Sequence, residues 1–426
     1  MTISELSHIF NTPIRQTALF KLLKNNKVNT VHLQGLQGSA VSLALSPLMD
    51  TGEQFIFIAN DLEDAGYLYH DLVQINGDEN VLFFPSSYKR AIKYGQLDAS
   101  SEILRTEALS RLSQTDKALL VVTYPEALAE KVISGETLTE KTLTLSSGEK
   151  VDSIFVADVL HEYGFERVDY VYEPGQYAVR GSILDVFSFS NEYPYRIDFF
   201  GNEIESIRSF EVESQLSKEK LNEIRIVPDI SQNSTSGISL LDFIAPSVIL
   251  GCRDITWVVE RIAGIAADTI SPQLLASEEG DIHIMEKIID PEGFKRKIFD
   301  FRRIDFGTHT PAISPAVIRM DCSAQPIFHK NFELVSETLH KYMADGYTIY
   351  ILSDSQKQIE RIKTIFDDRN DAITFTPVNK TLHEGFTDHD LKCCFFTDHQ
   401  IFDRFHKYNL KSEKARSGKL ALSLKE

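Results

Sequence analysis

A change of hydrophobic period near Lys141 separates two kinds of sheet in this chain. Before it, runs without polar interruption alternate with segments striped at helical spacing: Phe55-Ile56-Phe57-Ile58-Ala59, Val81-Leu82-Phe83-Phe84 and Ala118-Leu119-Leu120-Val121-Val122. A strand that is apolar throughout is buried on both faces, as in a parallel sheet covered by helices. A further strand is expected over 28–34, followed by a helix over 39–49. The helix after Ala59 is expected to start at Asn60, with Glu63 three residues on completing a capping box. Leu62, Ala65, Leu68, Tyr69 and Leu72 stripe it, and Asn76-Gly77 ends it. This β-α-β-α order predicts a doubly wound α/β domain.

After Lys141 the apolar residues alternate with polar ones. A helix is expected over 152–163, then short strands over 167–172, 176–179, 182–188, 195–200 and 203–211, with Gly201-Asn202 as a hairpin turn. That is a small α+β unit with an antiparallel sheet, inserted into the α/β domain. Past Pro326 the alternation returns. A helix is expected over 332–343 and a strand over 347–352. Ser353-x-x-Gln356 caps a helix striped by Ile359, Ile362 and Phe366, and 393–396 is a buried strand. The expected fold is therefore α/β and multidomain. Residues 1–140 and 226–326 form a first domain that resembles a degenerate P-loop domain, 141–225 the insertion, 327–405 a second small α/β domain, and 406–426 a basic linker.

With 426 residues the chain is long enough for several cores. The charge balance of 44 Lys and Arg against 62 Asp and Glu gives −18, which argues against wrapping DNA over a broad face, because phosphate neutralisation needs cations. It favours a protein partner. No run of 18 apolar residues is present, so no membrane span is expected. The first residues have neither a basic nor an apolar signal region. Four cysteines, Cys252, Cys322, Cys393 and Cys394, suit a reducing cytoplasm better than a disulfide framework. A cytoplasmic location is expected.

Residues 35–42, Gly35-Leu36-Gln37-Gly38-Ser39-Ala40-Val41-Ser42, stand between strand and helix where a phosphate-binding loop would stand. A working loop reads G-x-x-x-x-G-K-[ST], the lysine reaching the β- and γ-phosphates and the hydroxyl holding magnesium. Gly35 and Ser42 fit that pattern, but Ala40 replaces the second glycine and Val41 the lysine. No strand ends in Asp-Glu to serve as a Walker B element. The stretch is either a phosphate loop that has lost its charge or an ordinary turn of small residues. Both readings predict no ATP hydrolysis and no catalytic residue here.

In Tyr195-Arg196-Ile197-Asp198-Phe199-Phe200 the strand period puts Tyr195, Ile197 and Phe199 on one side and Arg196, Asp198 and Phe200 on the other. Arg180 lies close by in the preceding hairpin. Arg and aromatic residues are enriched at interface hot spots. The alternative is that Phe200 closes a core edge and the arginines pair with Asp185 and Asp198.

The run Glu173-Pro174-Gly175-Gln176-Tyr177-Ala178-Val179-Arg180-Gly181-Ser182-Ile183-Leu184-Asp185-Val186-Phe187, continued by Pro194-Tyr195-Arg196-Ile197-Asp198-Phe199-Phe200-Gly201-Asn202-Glu203-Ile204-Glu205-Ser206-Ile207, closely resembles the module shared by the excision-repair protein UvrB and bacterial transcription-repair coupling factors. The resemblance continues more thinly through Leu240-Leu241-Asp242-Phe243-Ile244 and the last residues, 414–426. Two departures favour the coupling factors. UvrB keeps the loop lysine, and it carries a long aromatic hairpin that the short stretch after Phe84, with its basic and aromatic residues 88–94, cannot hold. The family implies an inserted domain that binds UvrA, with Arg180, Arg196 and Phe200 matching its UvrA-contacting positions. It also implies that RNA polymerase and DNA, and the ATP and magnesium of a translocase, belong to parts beyond this chain. The chain is then a non-catalytic N-terminal fragment without a cofactor of its own, used to start nucleotide excision repair at stalled polymerase. The rival is a UvrB-like, nucleotide-dependent DNA-binding enzyme.

Other clusters carry less. His383, His389, Cys393, Cys394 and His399 crowd one stretch but lack C-x-x-C spacing, so no metal site is expected. Trp257 is expected in the core, and residues 88–94 as a solvated loop.

Overall fold

A computed structural model of the chain describes residues 1–25, 27–87, 99–114, 117–229, 237–269, 287–307 and 316–405. The 88–94 loop and the basic 406–426 segment lie outside the described residues.

Two helices, Ile3–Phe10 and Pro13–Lys24, precede the first strands: β1 Thr30–Gln34, β2 Gln54–Ile58, β3 Val81–Phe83 and β4 Leu119–Thr123. The inserted region contributes β5 Leu143–Ser146, β6 Glu166–Arg167, β7 Gln176–Arg180, β8 Ile183–Val186, β9 Tyr195–Phe200, β10 Glu203–Phe210, β11 Ser217–Leu221 and β12 Glu223–Ile226. The chain then returns with β13 Ile249–Cys252, β14 Arg303–Asp305 and β15 Ala316–Arg319. It ends on β16 Cys322–Ala324, β17 Thr348–Leu352, β18 Thr376–Val378, β19 Phe386–Asp388 and β20 Cys393–Thr397.

The first sheet has the order β15-β1-β14-β13-β2-β4-β3 and every pairing in it is parallel. All five residues of β2 and of β4 are buried, which is why those strands read as unbroken apolar runs. The chain between Pro228 and Pro326 completes this sheet through β13, β14 and β15. The second sheet, β11-β10-β9-β8-β7-β6, is antiparallel except for its β6–β7 edge. Its stem is a two-stranded ribbon in which β5 pairs antiparallel with β12, so the chain enters and leaves the inserted region side by side. The third sheet, β16-β19-β20-β17-β18, is mixed.

The C-terminal layer is not separate from the first. Phe10, fully buried, sets its ring edge-on against Phe386 at 5.6 Å and against Phe395 at 6.2 Å. A ring of this size contributes about 2 kcal/mol by leaving water. Arg15 grips Asp388 with two hydrogen bonds, at 2.5 and 3.1 Å, and that carboxylate is fully buried.

Several local expectations change. The helix Leu62–Asn76 is capped by Asp61, not Asn60. Asp61 is the residue in extended conformation, its carboxylate accepts the Asp64 amide, and Asp64 reaches back to the Asn60 amide at 3.0 Å. The helix expected over 39–49 is α-helical only at Ala40–Leu45; Pro47, which has no N–H, tightens the rest into a 3-10 turn at Ser46–Thr51. The strand expected over 167–172 shrinks to β6, because the chain turns away to cover the sheet. Ser355, not Ser353, precedes the helix Gln356–Asp368, and its side chain makes no capping bond. Trp257 is partly exposed, while Val258 and Ile262 carry the buried stripe of the helix Ile255–Thr269.

Candidate docking face and the strand-to-helix turn

The inserted sheet buries Leu184, Val186, Tyr195, Ile197, Phe199, Ile204 and Ile207 against the helix Ser153–Glu162, through its Val156 and Leu160. The opposite face shows rows set by register. Ala178, Asp185, Arg196 and Arg208 lie across four strands in one row, and Arg180, Ile183, Asp198 and Ser206 in the next. Phe200 stands at the end of its strand beside the hairpin turn, on the same side as Arg196 and Asp198.

Arg180 and Arg196 converge on one carboxylate. Arg196 donates from Nε to Asp185 Oδ1 at 2.7 Å and from an Nη to Oδ2 at 2.8 Å, and Arg180 donates to Oδ2 as well. Asp185 is 1 % exposed. The Arg196 guanidinium also lies 4.3 Å from the Phe210 ring centroid and donates to the backbone and side-chain oxygens of Gln215 at 3.3 and 3.1 Å. The hydrogen bond to Asp185 raises the Arg196 pKa above its ordinary value. Arg180 is a third exposed and lies over the Tyr170 ring at 4.8 Å. Asp198 pairs with Arg208 at 3.1 Å and accepts from Ser206.

The geometry bears on the pairing reading of this face and agrees with it in part. The arginines are paired, both of them on Asp185 and neither on Asp198. Phe200 closes no core: it is 79 % exposed. Tyr170 and Leu216 are exposed in the same region, at 50 and 69 %. Those two escaped the strand-by-strand reading because they lie outside the strands, whereas Asp185 was expected as an arginine partner but not as the partner of both.

The turn at 35–42 has a different character. Gly35 and Gly38 have φ of +88° and +52°, the left-handed region that favours glycine. Both are also crowded by protein: a Cβ at Gly35 would run into the Met320 carbonyl oxygen, and one at Gly38 would lie 3.1 Å from the Glu384 Cβ. The Ser39 amide donates to the Glu384 carbonyl at 3.1 Å, the Ala40 amide to Gln37 and the Val41 amide to Gly38. Ala40 and Val41 are buried. Ser42 Oγ donates to Asp71 at 3.1 Å and Ser39 Oγ to the same carboxylate at 2.6 Å. Asp71 also accepts the His383 amide at 2.7 Å, and the Glu384 amide donates to Ser39 Oγ at 2.9 Å. The His383 ring stacks on Tyr67 with centroids 3.4 Å apart. Residues 383–385 of the C-terminal layer thus lie against this turn.

The remaining residues of the histidine and cysteine cluster are dispersed. His389 sits between Ser323 and Tyr347, Cys394 accepts from Thr387, and no group of three potential metal ligands converges among the described residues. No helix among those residues is long and apolar enough to cross a membrane.

Residues 143–231 match the UvrB interaction domain family. The chain is 30% identical to the transcription-repair-coupling factor of Bacillus subtilis (strain 168) over 197 residues, 46% of this chain and 17% of that protein. It is 21% identical to that of Staphylococcus aureus (strain bovine RF122 / ET3-1) over 485 residues, 96% of this chain and 41% of the relative. With the Escherichia coli (strain K12) factor it shares 30% identity over 175 residues, 41% of this chain and 15% of that protein. The chain spans less than half the length of these relatives. The resemblance seen in 173–207 extends along nearly the whole chain, and the recognition of a UvrB-like N-terminal region of such a factor is borne out.

Proposed function

We propose that this relative of the transcription-repair-coupling factors is a docking module that recruits UvrA and performs no chemistry itself. The observation that carries this reading is Phe200, 79 % exposed beside a paired Arg–Asp lattice, within the stretch that matches the UvrB interaction domain. A large apolar side chain held clear of any core, next to a rigid polar platform, is the anatomy of an interface anchor. Arg180, Arg196 and Phe200 are the positions assigned to UvrA binding. The module belongs to nucleotide excision repair started by transcription arrest, and contacts with RNA polymerase and DNA, with ATP and magnesium, are left to the share of the relatives' length that this chain does not match.

The turn at 35–42 is read as a degenerate phosphate loop. Its Ser39, Ala40 and Val41 amides bond protein carbonyls, its Ser42 hydroxyl bonds Asp71, and Val41 offers no charge. A phosphate group would find neither the amide cradle nor the cation that phosphoryl transfer needs.

The test is a pull-down of UvrA by the chain, run beside an ATPase assay with and without DNA. Retention of UvrA without ATP turnover supports docking. DNA-stimulated hydrolysis favours the UvrB-like enzyme instead. Val41→Lys is expected to leave ATP binding undetectable by calorimetry, because residues 383–385 still fill the turn.

A further inference from the structure

Arg196 has little left to offer a partner. Four of its donor contacts are made inside the chain, two to Asp185 and two to Gln215, and its flat face covers Phe210. Its side chain is only 12% exposed. What it holds is the turn between β10 and β11. Gln215 has φ of +57°, a left-handed conformation that is uncommon for a residue with a side chain. Its amide donates to the Glu211 carbonyl at 2.8 Å and its side chain to the Val212 carbonyl at 2.8 Å, while the Glu211 amide closes the turn on the Leu216 carbonyl at 2.9 Å. The residue this turn presents is Leu216, 69 % exposed.

We infer that Leu216 is a second apolar anchor for the partner and that Arg196 is a positioning residue, acting through the turn it pins. This rests on the docking reading above and extends it. Phe200 lies four residues along β9 from Arg196, about 13 Å at strand rise. A standard footprint of about 800 Å² on one partner covers Phe200 and the turn together. Arg180, a third exposed, is the guanidinium with room to meet a carboxylate on the partner. The register also places Arg208 and Lys220 on this face, so a chain of net −18 shows local cations there. The partner surface that fits has two apolar pockets with acidic groups between them.

The experiment is UvrA binding to the whole chain, with amide hydrogen exchange over 211–217. Leu216→Ala, a change at an exposed site, is expected to weaken binding about tenfold with an unchanged melting transition. Arg196→Ala is expected to weaken binding and to speed exchange at Gln215 and Leu216. The double variant should bind within about twofold of Arg196→Ala alone, because both changes remove the same contact. Wild-type affinity in Leu216→Ala, with Phe200→Ala still impaired, overturns this inference and leaves the docking reading standing. Additive losses in the double variant overturn the positioning role, since Arg196 would then touch the partner itself. Wild-type affinity in Phe200→Ala overturns the docking reading.

Discussion

The outer face of the inserted sheet and the turn at 35–42 both gather polar groups at the ends of strands, and they differ in what remains once those groups are paired. At the turn the serine hydroxyls and the Asp71 carboxylate close on protein groups. Asp71 takes Ser39, Ser42 and the His383 amide, and the Ser39, Ala40 and Val41 amides bond carbonyls. On the sheet Asp185 and Asp198 are also paired with arginines, yet Phe200 and Leu216 stay in water. Polar residues mark both places in the sequence, but only one of them keeps an unburied apolar group. A polar network that closes on itself holds a structure together, whereas one that supports an exposed anchor can present it to something else.

The largest effect is expected where the network closes. Asp71→Ala leaves three donors buried without an acceptor, so it should lower unfolding free energy by about 3–5 kcal/mol, read as a shift in the denaturant midpoint. UvrA binding should survive, since the inserted sheet has its own core. Loss of stability below about 1 kcal/mol would mean that the C-terminal layer does not depend on this clasp.

Next comes the lattice on the sheet. Arg196→Ala uncovers the Asp185 carboxylate, which is 1 % exposed, and should cost about 3 kcal/mol of stability. Phe200→Ala should change stability by less than about 0.5 kcal/mol, because the ring is already in water. If the two variants were equally destabilised, Phe200 would be part of a core and the contrast between the regions would fail.

The smallest effect is a pH dependence confined to the turn. Partial burial, with Asp71 and Asp64 adding to it and Arg253 opposing it, pushes the Glu384 carboxyl above its ordinary value. His383 lies 3.8 Å from the same carboxylate. A carboxyl with a raised folded pKa contributes stability that is full below its unfolded pKa and is lost as pH rises through the folded one. Exchange of the His383 and Glu384 amides should therefore be better protected near pH 4 than near neutrality, after correction for intrinsic rates. Glu384→Gln should flatten that difference.

Much of this was legible in one chain of letters, for a physical reason. Period-two alternation in 195–200 assigned every side chain of β9 to its face, because a strand has only two. Unbroken apolar runs marked the buried parallel strands for the same reason. What escaped are contacts between distant residues. Nothing near Ser39 announces that Glu384 will bond it, 345 positions away. Nothing near Arg196 shows that Asp185 will serve two arginines, or that Gln215 will adopt a positive φ to meet it. Asn60 and Asp61 are both good caps, and the choice between them depends on which residue the backbone leaves extended. Trp257 looked buried by composition, yet its helix turns Val258 and Ile262 inward instead.

The docking account rests on Phe200 contributing to binding and not to folding. Isothermal titration of the chain with UvrA, for wild type and Phe200→Ala under matched salt, separates the two. The account predicts a loss of about 2 kcal/mol or more in binding free energy with an unchanged unfolding midpoint. Equal affinities for the two proteins would contradict it.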